Sequence, residues 1–132
     1  MAINPVSTAQ DALHLLLIED DTGVRRSLQL LLRGRGFDVQ SFATAGPALA
    51  DPSSQRATHV VIDYALPDND GVAVLRELRA RGWSGCAVLI TAFYSEELKF
   101  CAEAAGFAAI IAKPFRDSVL IDALTRGAAL RE

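Results

Sequence analysis

The 132-residue sequence predicts an α/β domain: a parallel sheet of five strands, each followed by a helix. Three observations predict it. The runs at 15–18, 60–62, 87–90 and 109–112 are continuously apolar. Parallel strands covered on both faces read that way, whereas half-exposed strands alternate. Segments of helical length and period separate these runs, and such alternation implies right-handed crossovers between parallel strands. Each run also ends in a polar or charged residue, and open α/β sheets place their ligand crevice outside the carboxyl ends of the strands.

In chain order, 15–18 (Leu-Leu-Leu-Ile) is the first strand. A helix over 24–33 follows, with Val24, Leu28 and Leu31 inward and Gly34 and Gly36 as its stop. Residues 37–42 alternate apolar and polar, which suits a less buried sheet edge. A short helix over 44–50 carries Pro47 in its first turn, and Asp51-Pro52-Ser53-Ser54 reads as a loop. Val60-Val61-Ile62 is a strand ending in Asp63, followed at once by a loop punctuated by Pro67 and Gly71. A helix over 72–81 turns Leu75 and Leu78 inward and ends at Gly82. After the fourth strand, Ser95 is placed to cap a helix over 95–105, with Glu96 and Glu97 complementing its dipole and Gly106 ending it. The fifth strand leads into a helix over 117–126 with Leu120 and Leu124 inward.

The strand ends carry the chemistry. Asp63 closes a buried strand, where an ionised carboxylate is costly unless exposed or paired. The first strand ends in Glu19-Asp20-Asp21, so two strands deliver acids to one edge and require a counter-ion. Oxygen donors in a small open cluster suit Mg²⁺ better than zinc or copper. Helix capping by Asp21 or Thr22 is the competing reading for part of this acidic run. The fourth strand ends in Thr91 and the fifth in Lys113-Pro114. Taken singly, Thr91 could be an ordinary strand residue and Lys113 a surface lysine beside a turn proline.

In that order the residues resemble the receiver domain of bacterial two-component response regulators, over about 13–127. Glu19 and Asp20 resemble the acidic pair after the first strand, and Asp63 the phospho-accepting aspartate. Leu66, Pro67, Asp70 and Gly71 reproduce the pattern D-x-x-[LM]-P-x-x-[DN]-G. Thr91 resembles the switch hydroxyl, and Lys113-Pro114 the Lys-Pro after the fifth strand. The resemblance implies a flavodoxin-like doubly wound sheet of order 2-1-3-4-5 with helices on both faces. It implies Mg²⁺ bound by Asp20, by Glu19 through water, by Asp63 and by the Ala65 carbonyl. It implies a cis Lys113–Pro114 bond, and phosphoryl transfer to Asp63 from a sensor histidine kinase or a phosphotransfer protein. Signalling would pass through the face of the fourth helix, fifth strand and fifth helix to an effector protein or domain, or to a second copy of the chain. The chain departs from the family at Ile110, where Tyr or Phe is usual, which puts the customary aromatic rotation in doubt. Phe93, two residues after Thr91, either shields the phosphoryl group or packs on its loop.

Length and composition frame this reading. The domain occupies 13–127, between a polar lead-in at 1–12, expected to be mobile, and a short tail at 128–132. A net charge of −3 offers no basic footprint for nucleic acid, and no apolar run is long enough for a membrane span. Cys86 and Cys101 fit no metal or redox spacing, so reduced thiols and a cytoplasmic setting are expected. Arg25-Arg26 and Arg33-Gly34-Arg35 read as solvated charges, and His14, His59 and Trp83 as packing residues. An aspartate-nucleophile phosphohydrolase is the main rival, but it needs a second aspartate where this chain has Ala65. A non-phosphorylated pseudo-receiver would lack the acceptor or the acidic pair, and both are present.

Overall fold

The computed structural model describes residues 13–131; the expected lead-in at 1–12 lies outside the described residues. The elements are β1 (Leu13–Ile18), α1 (Thr22–Gly34), β2 (Phe37–Phe42), α2 (Ala45–Ala50), a 3₁₀ turn (Pro52–Arg56), β3 (His59–Asp63), α3 (Gly71–Ala80), β4 (Cys86–Thr91), α4 (Glu96–Ala105), β5 (Ala109–Ala112) and α5 (Asp117–Arg131). All strand pairs are parallel, and their order is β2-β1-β3-β4-β5. The alternating strand β2 is at an edge, as its pattern required, with Val39 buried between exposed Asp38 and Gln40.

Strand parity divides the core in two. Leu16, Ile18, Val60, Ile62 and Leu89 face α2, α3 and α4. Leu15, Leu17, Val61, Val88 and Ile90 face α1 and α5 through Leu28, Leu32, Leu120 and Leu124. A fully buried Leu or Ile contributes about 1.5–3 kcal/mol, so β1, β3 and β4, covered on both sides, form the rigid centre of the sheet. His59 and Trp83 pack as expected, whereas His14 is exposed and ion-paired. His59 is buried edge-on to Phe37, Trp83 donates its indole N–H to the Ala57 carbonyl at 2.7 Å, and His14 pairs with Asp38 at 3.3 Å.

Two elements differ from expectation. The segment after Asp51 is a 3₁₀ turn rather than an open loop, because the Asp51 carboxylate accepts the Ser53 N–H at 2.9 Å and caps it. Helix α5 continues to Arg131 instead of ending near Arg126, so most of the expected tail is helical. Gly127 does not stop it; a Cβ there would lie 2.5 Å from Cys86 Sγ. The glycine therefore serves close approach of helix to sheet, and the Ala128-Ala129-Leu130 that follows favours helix.

Candidate functional site

Register builds the site. Ile18 of β1 pairs with Ile62 of β3, so one residue on, Glu19 and Asp63 stand side by side at the carboxyl edge. Asp63 pairs with Ile90, and Thr91 with Ala112, which places Thr91 and Lys113 one step further along their strands. Glu19, Asp63 and Lys113 continue the parity of Leu17, Val61 and Ile111, the α1–α5 side of the sheet.

Lys113 joins the two acids. Its Nζ donates to Glu19 Oε1 at 2.8 Å and to Asp63 Oδ2 at 3.3 Å. Glu19 is fully buried and Asp63 is 6% exposed. The Glu19 Oε2 atom accepts the Asp21 N–H at 3.0 Å. Burial pushes the Glu19 carboxyl above its ordinary range; the bonds from Lys113 and Asp21 offset this only in part, and the Asp63 charge adds to it. Burial pulls Lys113 downward, but its hydrogen bond to Glu19 and the charges of Glu19 and Asp63 outweigh that, so the ammonium is held above its usual value. Lys113 is thus no free surface lysine: it is part-buried and paired with both acids. Asp20 is exposed, and Glu19, Asp20 and Asp63 each present an oxygen within 4.8 Å of the others. Clustered hard oxygen donors, open to water through Asp20, fit a Mg²⁺-like cation.

The capping reading of the acidic run is correct for one residue. Asp21 is the N-cap of α1, accepting the Val24 N–H at 2.9 Å; this leaves Glu19 and Asp20 to the site.

The loop after β3 is tightly specified. Tyr64 N–H donates to the Ile90 carbonyl at 2.9 Å, Leu66 N–H to Asn69 at 3.1 Å, and Gly71 N–H to Tyr64 at 2.8 Å. Ala65 is exposed and forms an isolated antiparallel bridge with Asp70. Asp70 caps α3 through the Ala73 N–H at 2.8 Å. Gly71 has no room for a side chain: a Cβ would fall 2.8 Å from the Asp63 carbonyl and 2.7 Å from Leu89 Cδ1.

Thr91 is fully buried, and its hydroxyl oxygen accepts the Phe93 N–H at 2.8 Å. Its carbonyl accepts the Lys113 N–H at 2.7 Å, and the Lys113–Pro114 bond is cis, as expected. Phe93 is 66% exposed beside this hinge. Ile110 is half-buried on the α3–α4 side of the core.

Two contacts were not anticipated. Arg25, read from sequence as a solvated charge, donates through Nη1 to the Glu19 carbonyl at 2.8 Å and the Asp20 carbonyl at 3.3 Å. Its spacing one turn into α1 was the available signal. Asp68 reaches across the chain to accept the Ala45 and Gly46 N–H groups at 2.9 and 2.8 Å. It caps α2, whose own N-cap, Thr44, makes no side-chain cap bond. Nothing local in the sequence announces a cap from over twenty residues away.

Residues 15–125 match the family model for the response regulator receiver domain. The chain belongs to that family. The receiver is 33% identical over 103 residues to the KDP operon transcriptional regulatory protein KdpE of Escherichia coli K12, covering 77% of this chain and 45% of that protein. It is 33% identical over 110 residues to the transcriptional regulatory protein FixJ of Rhizobium meliloti 1021, covering 83% and 54%. The chain thus spans about half the length of these relatives. A CheY-like receiver domain protein from Methanospirillum hungatei JF-1 superposes with a TM-score of 0.84 at 25% identity, covering 92% of this chain and 97% of that one. Fold, strand order and the role of a signalling domain are those the sequence implied. Among the described residues no helix is long and apolar enough to cross a membrane.

Proposed function

We propose that this receiver accepts a phosphoryl group on Asp63 in a Mg²⁺-dependent transfer. The observation that carries the proposal is the Glu19–Lys113–Asp63 bridge beside Asp20, which gathers three carboxylates and one cation at the sheet's carboxyl edge. The donor is a phosphohistidine of a sensor histidine kinase or phosphotransfer protein. A free Asp63 oxygen attacks phosphorus, the P–O bond forms as the P–N bond breaks, and the imidazole, already protonated on its other ring nitrogen, keeps the P–N electron pair and leaves neutral. Asp20, Asp63 and the Ala65 carbonyl, with Glu19 through a water, would hold the Mg²⁺, which would neutralise charge on the phosphoryl oxygens. Lys113, already at Asp63, pairs with a phosphoryl oxygen as a compact charge. The Thr91 hydroxyl accepts from Phe93 N–H and keeps its own proton to donate to another oxygen. Positioning and charge neutralisation are most of what this chemistry asks of a protein.

The same contacts supply a switch. Movement of Thr91 toward the phosphoryl group draws the Phe93 N–H with it, and the β4–α4 loop biases the α4–β5–α5 face between two states. That face would engage an effector protein, an effector domain in a longer regulator, or a second copy, in the cytoplasm. With Ile110 in β5, the exposed Phe93 rather than a β5 ring is the aromatic that moves with the threonine. Incubation with a small phosphodonor should label the protein with Mg²⁺ present and not with the cation chelated. Equal labelling in both conditions would contradict the metal dependence.

A further inference from the structure

We infer that Arg25 is a positioning residue of the divalent-cation site; the inference rests on the reading of Glu19, Asp20 and Asp63 as that site. The β1 strand ends at Ile18, so the carbonyls of Glu19 and Asp20 lie past the ladder. Arg25 Nη1 bridges both, at 2.8 and 3.3 Å. Glu19 is fully buried, and a buried carbonyl that loses its donor costs about 1–3 kcal/mol. The loop would rearrange to avoid that cost and take the Asp20 carboxylate with it.

The placement of Arg25 in α1 supports a specific role. It is the fourth residue of the helix, near the N-terminal end, where the helix dipole disfavours a cation. The bonds to the two carbonyls give a reason for it to be there. They also spare the site's ligands. Arg25 engages only carbonyl oxygens of the loop, so the carboxylate oxygens of Asp20 stay available to a metal. Arg26, the next residue, is exposed and makes no such contact.

Two effects of Arg25 on cation binding oppose each other. Its positive charge repels a divalent ion, so on Coulombic grounds removal should tighten binding. Its grip on the loop holds the ligands in place, so on positioning grounds removal should weaken binding. Partners that orient metal ligands are worth about 10–100-fold in affinity. Charge effects at a half-exposed position are screened, so positioning wins and the sign of the change identifies it.

The test is titration with Mn²⁺ at fixed ionic strength, following free Mn²⁺ by electron paramagnetic resonance, on the intact chain. Arg25→Met should weaken binding about tenfold. Arg26→Met, which removes the same charge one residue away, should leave affinity unchanged or slightly tighter. Arg25→Lys, which keeps a charged donor, should recover part of the loss. Trp83 fluorescence reports whether each variant is folded; if Arg25→Met is not, Arg25→Gln should show an intermediate loss. Asp20→Ala tests the underlying reading. If it binds like wild type, the cation-site assignment fails. If it binds weakly while the Arg25 variants bind as tightly as Arg26→Met, the site stands and the positioning role of Arg25 is overturned.

Discussion

Replacing Lys113 with Met should destabilise the domain steeply above pH 5 and little below it. The change leaves the fully buried Glu19 carboxylate next to Asp63 with no cation. At an effective dielectric of about 20, a unit-charge pair at 2.8 Å is worth roughly 6 kcal/mol. The protein avoids losing that much by protonating Glu19, and the cost of protonation sets the ceiling. Measured from the ordinary value of 4.5, each pH unit costs about 1.36 kcal/mol. The ceiling is therefore about 3.4 kcal/mol at pH 7 and about 0.7 kcal/mol at pH 5. The sign follows from linkage: the folded Glu19 value is raised, so the folded state keeps a proton that the unfolded chain releases. Stability then falls as pH climbs from 4.5 through the folded value, and the variant, raised further, falls further. Urea unfolding followed by Trp83, which is 4% exposed, should show a midpoint lowered by about 1–3 M at pH 7. Adding Glu19→Gln to Lys113→Met should restore most of the loss. A loss below about 1 kcal/mol at pH 7, or one equal at pH 5 and pH 7, would mean that Lys113 does not compensate the buried Glu19 charge.

Gly71→Ala should cost about 1–3 kcal/mol, read by the same unfolding curve, since its Cβ would meet the Asp63 carbonyl; a neutral result would mean the loop has slack. Asp68→Ala should speed hydrogen exchange at the Ala45 and Gly46 amides. Because backbone bonds hold the Asp68 carboxyl below its ordinary value of 3.8, wild type should lose this protection only as pH falls below that value. Millimolar Mg²⁺ at ten times its dissociation constant should stabilise the unphosphorylated protein by about 1.4 kcal/mol, visible as a raised melting temperature in wild type and absent in Asp20→Ala. The acyl phosphate should be long-lived, decaying faster in both Phe93→Ala and Ala65→Asn; unchanged rates would limit Phe93 to packing.

What was legible in the sequence was whatever strand physics writes locally. Buried parallel strands are continuously apolar, so their ends stand out, and Glu19, Asp63, Thr91 and Lys113 could be lined up by position alone. The cap residues Asp21 and Ser95 were legible because capping is a contact over three residues. Contacts that depend on the assembled sheet were not. The Lys113 bridge to Glu19 spans 94 residues, and nothing local in the sequence pairs the two. Arg25 looked like any solvated charge on a helix, because its partners are backbone carbonyls, which carry no residue identity. The last helix reads as ending at 126, because sequence shows that Gly127 lacks a side chain, not that Cys86 would collide with one.

Asp63 as the phosphoryl acceptor predicts a simple mass difference. Wild type and Asp63→Asn are incubated side by side with a small phosphodonor and Mg²⁺, and their intact masses are measured. One added phosphoryl group on wild type and none on Asp63→Asn is the predicted result. Equal labelling of both proteins, or no labelling of folded wild type, would contradict it.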